Sequence, residues 1–351
     1  MKLTEYTIRL CKKEEYGKLI DFFIHYWSPK HIFCRNKKIF EFQHGTAENG
    51  TYDFVVAVHN ETEEFHAVLG FISSATYDGG DVEHPKAIYG ALWKVRDDVH
   101  NKEIGKIGLG VLYYLLKSFP ESDYITLGLS GFSQQIYDSL HFDFGKLKHY
   151  YIASNSVEEF KICQYPAILG TTDVNAKYEL KVIHEIPNNW STSCYPRKNS
   201  EYYKNRYAYH PFYRYEFLGI LKNGELALIW VTRKITVGKS CCLRIVDMIG
   251  DFDSQFNILG NIHQFMREQC IEYIDCYNHG IREEYFSAMG FAEIFGNTVI
   301  PNYFEPFERQ NVDIHYASYA KHPVVVFKGD GDQDRPSILG GVQNSEEAIN
   351  E

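Results

Sequence analysis

Hydrophobic and polar positions along the chain repeat with two periods, and the switches between them mark the elements. Residues 6–10 alternate as a strand does, and residues 14–27 then place Tyr16, Leu19, Ile20, Phe23 and Ile24 on one helical face. Trp27-Ser28-Pro29 breaks that helix, and a second helical piece follows near residues 37–43. Residues 54–58 and 67–73 form a hairpin around the polar turn 59–65. A Gly/Asp/Pro-rich loop, 78–85, leads to an apolar strand at 91–95. A polar connector then runs into Gly105-Lys106-Ile107-Gly108-Leu109-Gly110, and an apolar helix over about residues 111–117 opens on the last glycine. After Pro120 come a strand at 124–129 and a helix from Ser133 to about Leu140. The predicted order is β, α, α, β, β, β, α, β, α.

The second half repeats this grammar more faintly. A strand pair, 215–221 and 225–231, turns at Lys222-Asn223-Gly224. It is followed by a strand at 243–249, a helix at 258–267, a strand at 273–276 and a helix at 281–288 that ends in Met289-Gly290-Phe291. No glycine-rich turn precedes the helix at 258. Two explanations fit: a tandem repeat whose first copy alone keeps the glycine turn, or an unrelated α/β unit. A length of 351 residues suits two domains. The expected division is 1–150, a connector 151–180, a second domain 181–328, and a loosely held Gly-, Asp- and Asn-rich tail 329–351.

Composition narrows the partners. The formal net charge is -10 and no long basic run occurs, which argues against nucleic acid as the main partner. Aromatic content is 16%, with 27 Tyr, so many hydroxyls must reach a surface or a polar cleft. A large amphipathic ligand groove and a biased genome composition explain this equally. The eight cysteines show neither CxxC pairs nor zinc-finger spacing and sit in apolar surroundings, which implies reduced thiols and no metal site. The first twenty residues lack the apolar core of a signal peptide, and no window approaches ~18 consecutive apolar residues. A cytoplasmic protein without a membrane span is expected. Asn49-Gly50-Thr51 and Asn60-Glu61-Thr62 match glycosylation sequons that a cytoplasmic chain would not use.

The stretch from 91 to 118 carries the candidate chemistry. A strand, a glycine turn and a helix N-terminus make a phosphate site: unpaired amides point at the ligand, the helix dipole favours negative charge, and glycines admit close approach. Lys106 adds a mobile cation. No Gly-Lys-Ser/Thr makes it a P-loop, and no acidic residue at the right distance makes it a dinucleotide fingerprint. A tight turn into a core helix would look the same.

Gly108-Leu109-Gly110 resembles the end of the pyrophosphate loop of the GNAT acyltransferases, Gln/Arg-x-x-Gly-x-Gly/Ala, with Gly105 standing where that family has Gln or Arg. Downstream, Ser130-Gly131-Phe132-Ser133-Gln134-Gln135-Ile136-Tyr137-Asp138-Ser139-Leu140-His141-Phe142 is similar to the family's Asn-x-x-Ala-x-x-Leu-Tyr-Glu-x-x-Gly-Phe. Ser130, Ser133 and His141 depart from it; Ile136, Tyr137, Asp138 and Phe142 fit. The order of elements is that of the GNAT fold, in which the fourth and fifth strands splay apart around the cofactor.

The resemblance implies an α/β (α+β) chain of two GNAT-like domains, each a mixed, mostly antiparallel sheet flanked by helices. It also implies acyl-CoA as co-substrate, held by Gly105, Lys106, Gly108, Leu109, Gly110 and Ser130, with Trp93 and Val95 pairing the pantetheine arm. Tyr137 would protonate the leaving thiolate. Transfer would be by direct attack in a ternary complex, without a metal. The base is less defined: His25 is the candidate, among lone histidines that include His44, His210 and His279. Trp27 and His44 lie in the region where the family contacts its acceptor.

The stretch 202–215 gathers tyrosines around Arg206 and Arg214, which could clamp a diphosphate, while Tyr203, Tyr207 and Tyr213 could stack on a base or sugar. An interdomain seam would show the same residues. The segment from Asn205 to Tyr213, with His210, is similar to tandem GNAT-like sugar N-acyltransferases that modify amino-deoxyhexoses linked to dTDP. This implies a nucleotide-linked aminosugar of the dTDP-3-amino-3,6-dideoxyhexose type, used for surface polysaccharide, as the small-molecule partner, with Asn278 and His279 also at its site. The alternatives are another amine (an amino acid, a polyamine or a protein lysine) or a non-catalytic protein that only binds a ligand.

Overall fold

The computed structural model describes residues 3–45, 50–81, 83–170 and 172–334. Most of the sequon Asn49-Gly50-Thr51 is described, but Asn49 and residues 335–351 of the expected tail lie outside. The first half runs β1 (Tyr6–Lys12), α1 (Tyr16–Tyr26), α2 (Ile32–Arg35), α3 (Lys37–His44), β2 (Thr51–His59), β3 (Phe65–Ser73), α4 (Ala75–Asp78), β4 (Ala87–Val95), α5 (Ile104–Ser118), β5 (Asp123–Leu127), α6 (Gly131–Ser139), β6 (Asp143–Lys146) and β7 (Lys148–Ala153). The second half begins with β8 (Tyr178–Ile183), α7 (Ser200–Tyr203), β9 (Glu216–Lys222), β10 (Glu225–Val237), β11 (Ser240–Gly250), α8 (Leu259–Glu268), β12 (Ile271–His279) and α9 (Glu283–Met289). It ends with β13 (Ala292–Glu293), the hairpin β14 (Tyr303–Phe304) and β15 (Phe307–Glu308), β16 (His315–Tyr319) and β17 (Val326–Phe327).

The alternation along each central strand sorts its side chains between two layers. In β2, Phe54, Val56 and Val58 pack with Phe22, Phe23 and Phe40 of α1 and α3. The intervening Val55 and Ala57 pack with Ile107, Val111, Leu112 and Leu115 of α5. Each of these Val, Leu, Ile and Phe side chains contributes about 1.5–3 kcal/mol relative to leaving it in water. On α1 the buried stripe is Leu19, Phe22 and Phe23, while Ile24, expected on the apolar face, is 37% exposed. In β10, Leu228 and Trp230 face α8 and α9. Ile229 and Val231 instead face a core shared with Ile72, Tyr89, Ile125 and Leu127 of the first half. The two halves are therefore joined through one common hydrophobic layer.

The first sheet has the order β1-β2-β3-β4-β5-β16-β6, and the second β8-β9-β10-β11-β12-β7-β13. Each has one parallel pair, β4 with β5 and β11 with β12, in otherwise antiparallel pairing. The orders correspond strand for strand, and in each sheet the sixth position is filled by a strand from the other half. The expected boundary at residue 150 thus falls inside β7, which pairs with β12 from Ala153↔Tyr273 to Lys148↔Asn278. In exchange, β16 pairs with β5 and β6.

The glycine-rich stretch differs from expectation. Helix α5 begins at Ile104, so Gly105, Lys106, Gly108, Leu109 and Gly110 lie within it, not in a turn before residue 111. Three helical glycines each cost up to about 1 kcal/mol relative to alanine. Burial of Ile107, Val111, Leu112 and Leu115 against the sheet offsets that cost. The start of the expected tail is packed as well: Asp330 and Asp334 are buried, because Arg206 and Lys198 hold them as ion pairs at 3.1 Å (Asp334) and 2.7 Å (Asp330). Among the described residues no helix is long and apolar enough to cross a membrane.

Candidate functional site

Pairing between β4 and β5 runs from Ala87↔Asp123 to Gly90↔Thr126 and then stops. An extra residue in β4 between Gly90 and Trp93, opposite Phe71 and Leu69 of β3, bends the strand at this point. Beyond it the backbone edge of β4 has lost β5 as a partner. The resulting gap opens into a cavity of about 1090 Å³. Trp93 and Val95 of β4, Gly105, Gly108 and Leu109 of α5, and Ser130 and Tyr137 beside or on α6 line one side.

Local chemistry explains these placements. A Cβ on Gly108 would stand 3.1 Å from Val95 Cγ2, so glycine lets α5 lie close against β4. The amides of Lys106 and Ile107 already donate to the Glu103 carbonyl at 2.8 and 3.2 Å, and those of Gly108 to Gly110 belong to the helical ladder. The Ile104 amide donates to the Asn101 carbonyl at 3.4 Å, so among the described residues the first-turn amide of α5 left without an acceptor is that of Gly105, on the cavity wall. Ser130 caps α6 by accepting from the Ser133 amide at 3.2 Å. Tyr137 is buried, shares a 2.8 Å hydrogen bond with the Tyr124 hydroxyl and stands edge-on to Trp93. Burial, reinforced by Tyr124, raises its phenol well above the ordinary range, so it stays protonated. Among the described residues the Trp93 indole Nε1 is buried without a hydrogen-bond partner.

The second half supplies the other side: Arg233 of β10, Arg244 of β11, Asn302 and Glu305 around the β14–β15 hairpin, and Lys328 and Asp334 after β17. Arg244 is saturated, donating to Asp275 at 2.6 and 3.0 Å and to the Asn302 and Pro301 carbonyls. Burial alone would raise Asp275, but Arg244 and His149 outweigh it and hold the carboxyl down at about 2. His149, stacked on Tyr277 and bonded to Asp275 at 2.8 Å, is pushed down to about 4 by burial. Glu305 is partly buried, and that desolvation raises its carboxyl, with Arg233 opposing.

No family model matches the chain, and no curated protein sequence matches it. Among solved structures, a GCN5-related N-acetyltransferase from Anabaena variabilis superposes with a TM-score of 0.53 at 8% identity, over 89% of this chain and 72% of its own. That likeness decides the architecture. The fold is GNAT-like. Two others match less closely. One is an acetyltransferase from Pyrococcus horikoshii, described as a candidate one (TM-score 0.45, 8% identity, 96% and 98% covered). The other is a tandem GNAT protein from the clavulanic acid biosynthesis pathway (0.44, 11%, 91% and 99%).

Within this GNAT-like frame, Trp27, Trp93, Val95, Gly105, Gly108, Leu109, Ser130 and Tyr137 come together on one cavity, whereas Lys106 and Gly110 do not line it. His25 lies outside: it is exposed on α1, and its Nδ1 donates to the Asp21 carbonyl one turn back at 2.8 Å. His44 is wholly buried between Phe33 and Phe54, with Nδ1 donating to the Phe71 carbonyl. The tyrosine cluster forms the seam between the halves. Tyr203 donates to the Met248 carbonyl at 2.7 Å, Tyr207 to Asp247 at 2.9 Å, and Arg206 to the Gly329 and Gly331 carbonyls and Asp334. His210 Nδ1 accepts from the Tyr213 amide at 2.8 Å, Tyr213 lies beneath Arg233, and Arg214 is exposed. Asn278 donates to the Val326 carbonyl, and His279 Nε2 meets the Tyr316 hydroxyl at 2.9 Å. None of these ten residues lines the cavity.

Sequence reasoning missed the wall from the second half. Its two local signals were a basic pair, Arg233-Lys234, inside a mostly apolar strand, and Lys328 closing the apolar run Val324-Val325-Val326-Phe327.

Proposed function

We propose that the protein is an acyl-CoA-dependent N-acyltransferase, carrying an acyl group from coenzyme A to an amine in a ternary complex. The observation that carries this is the splay of β4 from β5. It leaves an unpaired strand edge, two helix N-termini and a partnerless indole N–H around one large cavity. The pantetheine arm would pair with β4 near Trp93 and Val95 as an added strand, and the diphosphate would lie at the Ile104–Gly105 end of α5.

In the reaction the neutral amine attacks the thioester carbonyl and, as the C–N bond forms, passes its N–H proton to Glu305, a half-buried carboxylate of the cavity wall. The oxyanion is met by backbone N–H on the free edge of β4. The C–S bond then breaks, and the thiolate takes the Tyr137 proton. Glu305 replaces the histidines in this role because it faces the cavity and they do not. A cavity of about 1090 Å³ exceeds what one ordinary ligand fills, which supports two substrates bound together.

The acceptor we favour is a nucleotide-linked aminosugar of the dTDP-3-amino-3,6-dideoxyhexose type. Its support is the likeness of the segment from Asn205 to Tyr213 to sugar N-acyltransferases, a segment that builds the seam behind the cavity wall. Incubation with acetyl-CoA and a panel of nucleotide aminosugars, amino acids and polyamines, read by mass spectrometry, tests both levels. Acylation of an aminosugar supports the full proposal; acylation of another amine alone removes the sugar, and acylation of nothing removes the enzyme.

A further inference from the structure

Three cations converge on the cavity wall built by the second half. Arg233 and Arg244 stand directly opposite each other on β10 and β11, a like-charge pair that is unfavourable by itself. Lys328 lies beside them, 4% exposed, with its ammonium over the Tyr277 ring at 5.3 Å. Arg244 is neutralised by Asp275 at 2.6 Å. The other two are not. Among the described residues Lys328 donates only to the side-chain oxygen of Asn302, and Arg233 only to the backbone carbonyl of Asp334, whose carboxylate is held by Arg206 and Tyr215. Among the described residues no carboxylate lies within ion-pair distance of either.

A buried ammonium beside a guanidinium, with one neutral acceptor for its three protons, is costly to keep unless something answers it. Burial and Arg244 accordingly push the Lys328 amine well below the usual lysine range. Both side chains face the cavity, so the missing partner is one that enters with a ligand. We propose that Lys328 and Arg233 bind an oxyanion of the acceptor, a carboxylate or a phosphoryl group, on the cavity wall contributed by the second half. This rests on the acyltransferase reading for the word acceptor, but the anion site itself does not. It selects acceptors in which the amine is accompanied by an acidic group and disfavours polyamines.

Calorimetric titration with inorganic phosphate and, separately, with acetate tests it, in the full chain both saturated with coenzyme A and free of it. We expect one of the two anions to bind at a single site with coenzyme A present. Lys328→Met should weaken that binding at least about tenfold and Arg233→Gln several-fold, with coenzyme A affinity within about twofold of wild type. Arg233 is partly exposed, so its variant reads the site even if Lys328→Met fails to fold. Phosphate alone assigns a phosphoryl group, and acetate alone a carboxylate. Neither anion binding, or both variants binding as wild type does, would overturn the proposal. An absence of heat with coenzyme A itself would remove the acyltransferase reading separately, leaving the anion titration of the free protein to decide the site.

Discussion

The two halves share a strand order and differ in what occupies their splay. In the first, β4 and β5 part after Gly90 and Thr126, and the gap is a cavity. In the second, β11 and β12 part after Ile245 and Cys276, and the chain's own residues fill the gap. There β17 pairs with Asn278 and His279, and the Gly329 amide donates to the Val246 carbonyl at 2.7 Å. A Cβ on Gly329 would meet the Tyr207 hydroxyl and the Val246 oxygen, so the plug fits only as glycine. Lys198 locks it, bridging Asp247 at 2.8 Å and Asp330 at 2.7 Å, and Arg206 grips the carbonyls that follow. One architecture thus serves twice: open, it can take a ligand; closed by its own chain, it becomes a rigid wall for its twin.

The largest effect should come from unlocking the plug. Arg206→Met leaves Asp334 buried without its cation and should cost about 3–5 kcal/mol in denaturant unfolding. In the open half, Tyr137→Phe removes the proposed acid and should lower kcat by about 100-fold while leaving coenzyme A affinity unchanged in calorimetry. Gly329→Ala overfills the plug and should destabilise by about 1–3 kcal/mol, seen as a lower melting temperature.

The smallest effect is a pH slope. His149 has its pKa lowered from 6.5 to about 4, so the folded state refuses a proton that the unfolded chain accepts. The stability from keeping it neutral is complete above about pH 6.5 and is lost as pH falls toward 4, at no more than about 1.4 kcal/mol per pH unit. His149→Gln should flatten that stretch of a stability-against-pH curve.

Much of this comparison was legible in the chain and some was not, for physical reasons. The apolar runs of β2 and β3 around their polar turn and the motif from Ser130 to Phe142 specify local structure, and Trp93, Val95 and Tyr137, singled out by the resemblance to the GNAT family, line the cavity. The exchange of β7 and β16 was not legible, because a two-residue period says that a stretch is a strand and not which sheet receives it. The glycines of α5 read as a turn because propensity was weighed without the packing of Ile107 and Val111, which carries the helix through them. Arg206 read as a clamp for phosphate because its carboxylate lies 128 positions away at Asp334. Lys328 showed only as a cation closing an apolar run, since its burial depends on Arg244 and Asn302, both remote in sequence.

Titration of the full chain with coenzyme A tests the contrast between open and plugged halves most directly. One molecule should bind per chain, and Gly105→Asp, whose side chain enters open space on the cavity wall, should weaken it at least about tenfold without lowering the melting temperature by more than a few degrees. Two molecules bound, none bound, or full binding by Gly105→Asp would contradict it.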